Sequence, residues 1–273
     1  NPNATLGNRV VYNGQDYLLT PDDWEDIAFR SSMRQEYNVS VSGATDRSTF
    51  YASFGYLNNE GITENSNMER YTARLKADYQ AKKWLKVGAN AGYANFTYNS
   101  LSADGQGNSS ANLFAFTSSV APIYPLYVRD GQGNIMKNDA GITMYDYGDG
   151  MNAGLTRPLL PNANGLADSR LNTDRSEGNA FNGTGFFDIL FLKDFKFTFN
   201  VGVSLDETRR TTVQNPYFGQ FADENGIIGK YHTRDFSHNL QQILNYTKVI
   251  GKHNVNVMLG HEYYQRRQYL LYG

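Results

Sequence analysis

The chain has 273 residues, a formal net charge of −2, 19% charged residues and no cysteine. Near-neutral charge without clustered Lys and Arg excludes nucleic acid as the main partner. The lack of cysteine excludes disulfides, cysteine-ligated zinc and thiol catalysis, and no run of about 18 apolar residues is present to form a membrane-spanning helix.

With 20 Tyr and 16 Phe the chain is too aromatic for a disordered protein, yet its mean hydropathy is −0.56. That mixture fits strands that alternate apolar and polar residues, as in a transmembrane β-barrel with one face toward lipid and the other toward the lumen. The chain opens Asn1-Pro2-Asn3 with no basic and then apolar stretch, so no signal peptide is expected here. The expectation is a chain whose start has been removed or an internal piece of a longer one.

In chain order, Thr20-Pro21-Asp22-Asp23-Trp24 reads as a helix start, with Thr20 as cap, Pro21 in the first position and a short helix to Phe29. Period two then takes over. In 35–43, Tyr37, Val39 and Val41 point one way and Asn38, Ser40 and Ser42 the other. Phe50, Ala52, Phe54 and Tyr56 share a face in 48–57, and Tyr71, Ala73, Leu75, Ala77 and Tyr79 do so in 69–80. Val87, Ala89, Ala91 and Tyr93 continue the pattern in 84–94. It resumes in 179–190 and is cleanest in 195–205, where Phe195, Phe197, Phe199, Val201, Val203 and Leu205 alternate with polar residues and glycine. Stretches 236–247 and 253–264 complete a set of eight strands, most of about 9–12 residues, the length that spans a bilayer when tilted.

The connections alternate strictly between short and long. Turns 44–47, 81–83, 191–194 and 249–252 are tight, whereas 58–68, 98–178 and 207–235 are long. Outer-membrane barrels combine short periplasmic turns with longer extracellular loops, and a soluble sandwich has no reason to sort its loops this way. Aromatics near strand ends, among them Tyr37, Trp84 and Tyr263, match interfacial girdles, although aromatics favour strands in any sheet. The fold class expected is all-β, an antiparallel transmembrane barrel.

Several segments resemble the SusC/RagA family of TonB-linked outer-membrane importers of Bacteroidota. They are Asp23–Arg30 (DWEDIAFR), Gln35–Gly43 (QEYNVSVSG), Tyr51–Leu57 (YASFGYL) with Glu60-Gly61-Ile62, Glu69–Arg74 (ERYTAR), Gly251–Asn256 (GKHNVN) and Leu259–Glu262 (LGHE), the last with His261 where the family usually has Tyr. Their order and spacing carry the resemblance across residues 23–262. It implies a plugged barrel of the 22-stranded type, of which this chain holds about eight strands, with the plug domain and the TonB box absent. The implied organisation is an extracellular loop with a short helix at 1–33, four strands at 34–97, a long extracellular loop at 98–178 and four strands at 179–273. The rival is a standalone eight-stranded barrel, whose narrow interior must be filled with side chains. Here many lumen-facing positions are Gly, Ser or Asn, and the chain ends Leu270-Leu271-Tyr272-Gly273 without a terminal aromatic.

The resemblance further implies import of oligosaccharides or peptides, a SusD-like surface lipoprotein as lid, TonB as energy source through the missing N-terminal region, and outer-membrane lipid around the wall. A SusC-like scaffold or surface receptor without import, and a soluble carbohydrate-binding β-sandwich, are the alternatives. The residues assigned to substrate or lid contact are Trp24, Tyr124, Tyr145, Asp146, Tyr147 and Asp149. All lie in loops, and loops longer than about 15 residues tend to carry function. Aromatics mixed with acids suit a sugar or a peptide, but they also suit a plain surface loop, and Trp24 reads better as an anchor of its loop to the rim. Within the long loop, 112–119 reads as a short helix with Phe114 and Phe116 packed inside the loop, and 124–134 as a small hairpin with a Gly turn. Asp146 and Asp149 lack the spacing of a calcium loop, and Asp223-Glu224-Asn225-Gly226 reads as a turn. His232, His238, His253 and His261 form no close pair, and no nucleophile elbow is present. No catalytic residue, metal or cofactor is therefore assigned. On the lumen face, period two places Arg70, Arg74, Lys76, Asp78, Lys86 and Asn90.

Overall fold

A computed structural model describes residues 7–101, 113–219 and 221–273. The opening Asn1-Pro2-Asn3 and the first residue of the expected 112–119 helix lie outside the described residues. Eight strands form one antiparallel meander: β3 (Arg34–Ala44), β4 (Ser48–Glu60), β5 (Asn67–Lys82), β6 (Leu85–Asn99), β7 (Thr173–Phe191), β8 (Phe195–Gln214), β9 (Ile227–Ile250) and β10 (His253–Tyr272). Each strand pairs only with its chain neighbours, so β3 and β10 are the two edges. A two-stranded hairpin, β1 (Arg9–Tyr12) with β2 (Gln15–Leu18), and three short helices, α1 (Trp24–Ala28), α2 (Leu113–Ser119) and α3 (Gly165–Leu171), make up the rest. Among the described residues no helix is long and apolar enough to cross a membrane.

The register confirms the two faces. One row runs Val39, Phe54, Ala73, Tyr93, Phe181, Leu205 and Phe236, each side by side with the next. Its neighbour on the opposite face runs Ser40, Ser53, Arg74, Gly92, Asn182, Ser204, Ser237 and Arg266. Ring pairs reinforce the apolar face, with centroids 5.2 Å apart for Phe187 and Phe199 and 4.8 Å for Phe195 and Tyr246. Cross-strand aromatic pairs contribute about 0.2–1 kcal/mol each over alanine.

The apolar face is not level along the sheet. On β3 its apolar run is Tyr37, Val39 and Val41, and the row of Val39 arrives on β10 at Arg267. The apolar run of β10 is instead Val255, Val257, Leu259 and Tyr263. The band has shifted by about one residue per strand, which at ~3.3 Å rise and ~4.8 Å strand spacing corresponds to a strand tilt of about 35°. Barrels tilt by that amount. A flat sandwich sheet has no cause to.

The strands are longer than their alternation alone suggests, reaching 24 residues in β9. The long connections shrink accordingly to 61–66, 100–172 and 215–226. The reason is that period two is lost where strands leave the apolar band and carry polar residues on both faces, while backbone pairing continues. At these upper ends only the polar face is covered. Asp174, Ser176 and Gly178 of β7 are buried and alternate with exposed Thr173, Arg175 and Glu177, and Leu57 is buried in the same row as Gly178. The loops therefore fold over the polar side of the sheet.

Candidate functional site

The loop cluster is built around α1, α2 and α3. Helix α1 starts at Trp24 because Asp23, in extended backbone, accepts a hydrogen bond from the Asp26 amide at 3.0 Å. The cap is thus Asp23 rather than Thr20. Asp22 is drawn elsewhere: its carboxylate accepts the Leu126 amide (2.7 Å) and both ends of the Arg129 guanidinium (2.9 and 2.7 Å). This pair is nearly buried, with side chains 10% and 13% exposed, and it ties the first loop to the second.

Trp24 stands in the centre. It is buried against Phe116 (ring centroids 5.3 Å apart), Leu113, Val120, Leu126, Ala163 and Leu166, and its indole N–H donates to the Tyr124 carbonyl at 3.0 Å. The Arg157 guanidinium lies over both rings, 5.7 Å from Trp24 and 5.6 Å from Phe116. Its Nη2 donates to the Ala163 carbonyl, while Nε and Nη1 find no partner among the described residues. Burial pulls its pKa down, against the attraction of Asp146. Phe116 is fully buried as expected, whereas Phe114 is half exposed and stacks on Phe29 at 5.0 Å, at the edge of the cluster.

The expected hairpin at 124–134 is one part of a larger unit. The Val128 amide donates to the Met144 carbonyl (3.0 Å), Met144 to Met136 (2.9 Å) and Met136 to Val128 (2.9 Å), closing a ring of three backbone bonds. The turn chemistry repeats at the same interval. Asp130 Oδ1 accepts the Gln132 amide (2.9 Å), Asn138 Oδ1 the Ala140 amide (3.0 Å) and Asp146 Oδ1 the Gly148 amide (2.7 Å). Asp and Asn favour such turns because the side chain mimics a backbone acceptor. Gly148, at φ +67°, is required twice over, since a Cβ there would lie 2.2 Å from Arg157 Nε.

Of the residues assigned from sequence, Trp24, Asp146 and Tyr147 are buried at 2%, 1% and 3% exposure. Asp146 also accepts from Asn152 Nδ2 at 2.6 Å, and burial pushes its pKa up to about 6. Tyr147 donates to Asp168 at 3.0 Å and stacks on Phe218 of the 215–226 connection. Burial, with the Asp168 carboxylate, raises the Tyr147 pKa, and burial likewise pushes Asp168 up to about 6. Tyr124 and Tyr145 are half buried, and Tyr145 packs on Tyr127 with centroids 5.4 Å apart. Asp149 is exposed and accepts the Met151 amide at 2.9 Å. The structure thus brings Trp24 to Tyr124 and places Tyr145, Asp146 and Tyr147 in succession through the wall of the cluster. Asp223-Glu224-Asn225-Gly226 forms the turn that leads into β9, with Asn225 and Gly226 at positive φ. No group of three or more metal-ligating side chains occurs among the described residues.

Sequence reasoning missed the residues that fasten this cluster to the strands. Arg170 of α3 donates to Glu64 (2.7 Å) and to the Tyr127 hydroxyl (2.7 Å), and Asn65 Nδ2 donates to the Ser169 carbonyl at 2.8 Å. Burial would lower the Arg170 pKa, but Glu64 and the two tyrosines raise it. Beside these contacts the 61–66 turn opens a polar cavity of about 420 Å³, lined by Arg30, Asn58, Glu60, Glu64 and Asn67 among others. The recurrence of Asp130, Asn138 and Asp146 was the one signal in the sequence that pointed to the ring.

No family model matches the chain. Its relatives include the TonB-dependent receptor SusC of Bacteroides thetaiotaomicron, 27% identical over 256 residues, which make up 88% of this chain and 24% of SusC. The TonB-dependent receptor P26 of Formosa agariphila is 24% identical over 96% of the chain. Among solved structures, the RagAB peptide importer in its open-open state superposes with a TM-score of 0.70 over 99% of this chain and 27% of that one, at 24% identity. The closed-closed state gives 0.69 over 97%. The chain is SusC-like. It spans about a quarter of the length of the relatives it matches. Its sheet is the antiparallel barrel wall that RagAB shares.

Proposed function

We propose that this chain forms barrel wall and extracellular vestibule of a TonB-dependent, SusCD-type importer in the outer membrane of a Bacteroidota-like bacterium, within a barrel of the 22-stranded type. The observation that carries the reading is the side on which the loops lie. The described part of the 100–172 connection and its partners cover the polar face at one end of the tilted sheet, where a substrate enters a lumen. TonB-dependent receptors named SusC, P26 and P3 among the relatives support import in general. Oligosaccharide or peptide as cargo, a SusD-like lipoprotein lid and TonB acting through an N-terminal region are parts of the same proposal.

The wall offers Arg74, Lys76, Asp78 and Asn90 on the polar face, a hydrophilic path with no covalent chemistry. Within the vestibule the proposed contacts are Trp24, Tyr124, Tyr145, Asp146, Tyr147 and Asp149. Burial divides their roles: Tyr124, Tyr145 and Asp149 offer surface to a ligand or lid, whereas Trp24, Asp146 and Tyr147 hold the shape that presents it. The full-length protein with residues 121–164 replaced by a short Gly-Ser linker tests this. Growth on the cognate glycan or peptide should fall to the level of a deletion strain, with outer-membrane abundance unchanged by immunoblot. Wild-type growth on every glycan and peptide tried would overturn the vestibule role.

A further inference from the structure

The outward face of the barrel wall gathers its cations mainly in one place. Above the apolar band on β7–β10, the register sets Arg175, Arg209, Lys230, His232, Arg234 and Arg267 on the same face as Phe181, Leu205 and Phe236. Only Glu177 and Glu207 answer them there. Arg175 pairs with Glu177 at 3.6 Å, and Arg209 and His232 share Glu207 at 2.8 Å each. Lys230 is exposed and reaches only the Thr211 hydroxyl, at 3.0 Å. Arg234 and Arg267 are exposed, and neither side chain makes a hydrogen bond or ion pair to another described residue. The two stand diagonally across β9 and β10, Arg234 beside Tyr269 and Arg267 beside Phe236. A local excess of positive charge therefore sits on a chain whose net charge is −2.

Its position follows the tilt. The charges begin at Glu177 on β7, one row nearer the membrane at Glu207 on β8 and Arg234 on β9, and one row nearer again at Arg267 on β10. The apolar band falls in the same direction. The patch thus keeps a constant height, just above the hydrocarbon, at the end of the strands that bears the long connections. On β4–β6 the same level carries Tyr56, Glu69 and Tyr71 and no cation, so the feature belongs to one sector of the wall.

We propose that this sector binds the phosphate groups of glycolipid in the outer leaflet. Guanidinium groups pair with phosphate oxygens in a bidentate manner, and each Lys or Arg held at a charged membrane surface adds about a fivefold gain in binding. An occupant in the leaflet is selected because the side chains face lipid, not the lumen or the loop cluster. The proposal rests on the orientation given above, with the long connections outside the cell.

The test uses the full-length protein in detergent micelles, with bis-phosphorylated lipid A as probe and bound lipids counted by native mass spectrometry. The triple variant Lys230→Gln, Arg234→Gln, Arg267→Gln should bind lipid A roughly a hundredfold more weakly. Arg234→Lys with Arg267→Lys should retain most of the binding. A polar-face variant, Arg74→Gln, Lys76→Gln, Lys86→Gln, carries the same charge change and should bind as the wild type does. Heat-modified electrophoretic migration checks that every variant is folded. Equal binding by the triple variant, equal binding of dephosphorylated lipid A, or displacement by millimolar inorganic phosphate would overturn the proposal. Loss of binding in the polar-face variant alone would show instead that the faces were assigned the wrong way round, which would sink the import reading with it.

Discussion

Asp146 combines two properties that pull against each other. Its carboxylate is buried yet serves as acceptor for Gly148 and Asn152, and burial raises its pKa to about 6. A carboxyl whose folded pKa lies above its unfolded value of about 3.9 stabilises the folded form below that value and loses the contribution as pH rises toward 6. The loop cluster should therefore resist protease better at pH 4.5 than at pH 7.5. Asp146→Asn should remove about half of that difference, since burial raises Asp168 alike, and stabilise the cluster at pH 7.5 by on the order of 2 kcal/mol, read as slower cleavage within 121–164. The reverse trend, greater resistance at the higher pH, would contradict the burial of this group. Asp146 was visible in the sequence as an acid among aromatics, which is also how a surface ligand contact reads. Its burial depends on Arg157 and Asn152, which pattern alone does not bring near it, so its place inside the wall was not legible.

At the scale of elements, the loops hold together through pairs that no local pattern announces. Asp22 and Arg129 are 107 positions apart in sequence and nearly buried. Removing one partner of such a pair leaves an uncompensated buried charge, at a cost of about 3–5 kcal/mol. Asp22→Ala should therefore speed amide exchange in 9–29 and 126–146 and leave exchange in β5–β10 unchanged. Uniform acceleration through the strands would mean that the loops and the wall unfold as one unit. The contrast with the strands is physical. A strand in a tilted wall writes its environment into every second residue, so Phe195–Leu205 was legible at once. A helix of seven residues such as Gly165–Leu171 has too few turns to show a period, and it is held by Asn164 capping Ala167 and by burial of Leu166. Helix α1 was legible through its acids and Trp24, but its cap shifted to Asp23 because Asp22 serves Arg129.

For the whole molecule, β3 and β10 each present an unpaired edge of 11 and 20 residues, respectively. Open edges of that length template aggregation, and in hydrocarbon each unsatisfied backbone group costs several kcal/mol. The 273-residue chain expressed alone and refolded into detergent should give no heat-modifiable monomer, and circular dichroism should report aggregated β-structure. A stable monomeric barrel would show that the two edges can close on each other. The alternation of short and long connections carried the fold class in the sequence, because turn length records which side of a membrane a strand end lies on. The folding of the loops over the polar face was not recorded there, since it depends on Arg170, Glu64 and Asn65 meeting across three strands. Those fasteners also set an order of events in time. The Trp24–Tyr124, Asp22–Arg129 and Glu64–Arg170 contacts span 100, 107 and 106 residues, the first two straddling β3–β6 and the third β5–β6. Bringing such distant segments together by chance is entropically slow, but the finished meander sets their anchor points side by side. The wall is then the template on which the loop cluster assembles, and the loops are the last part of the chain to reach their native state.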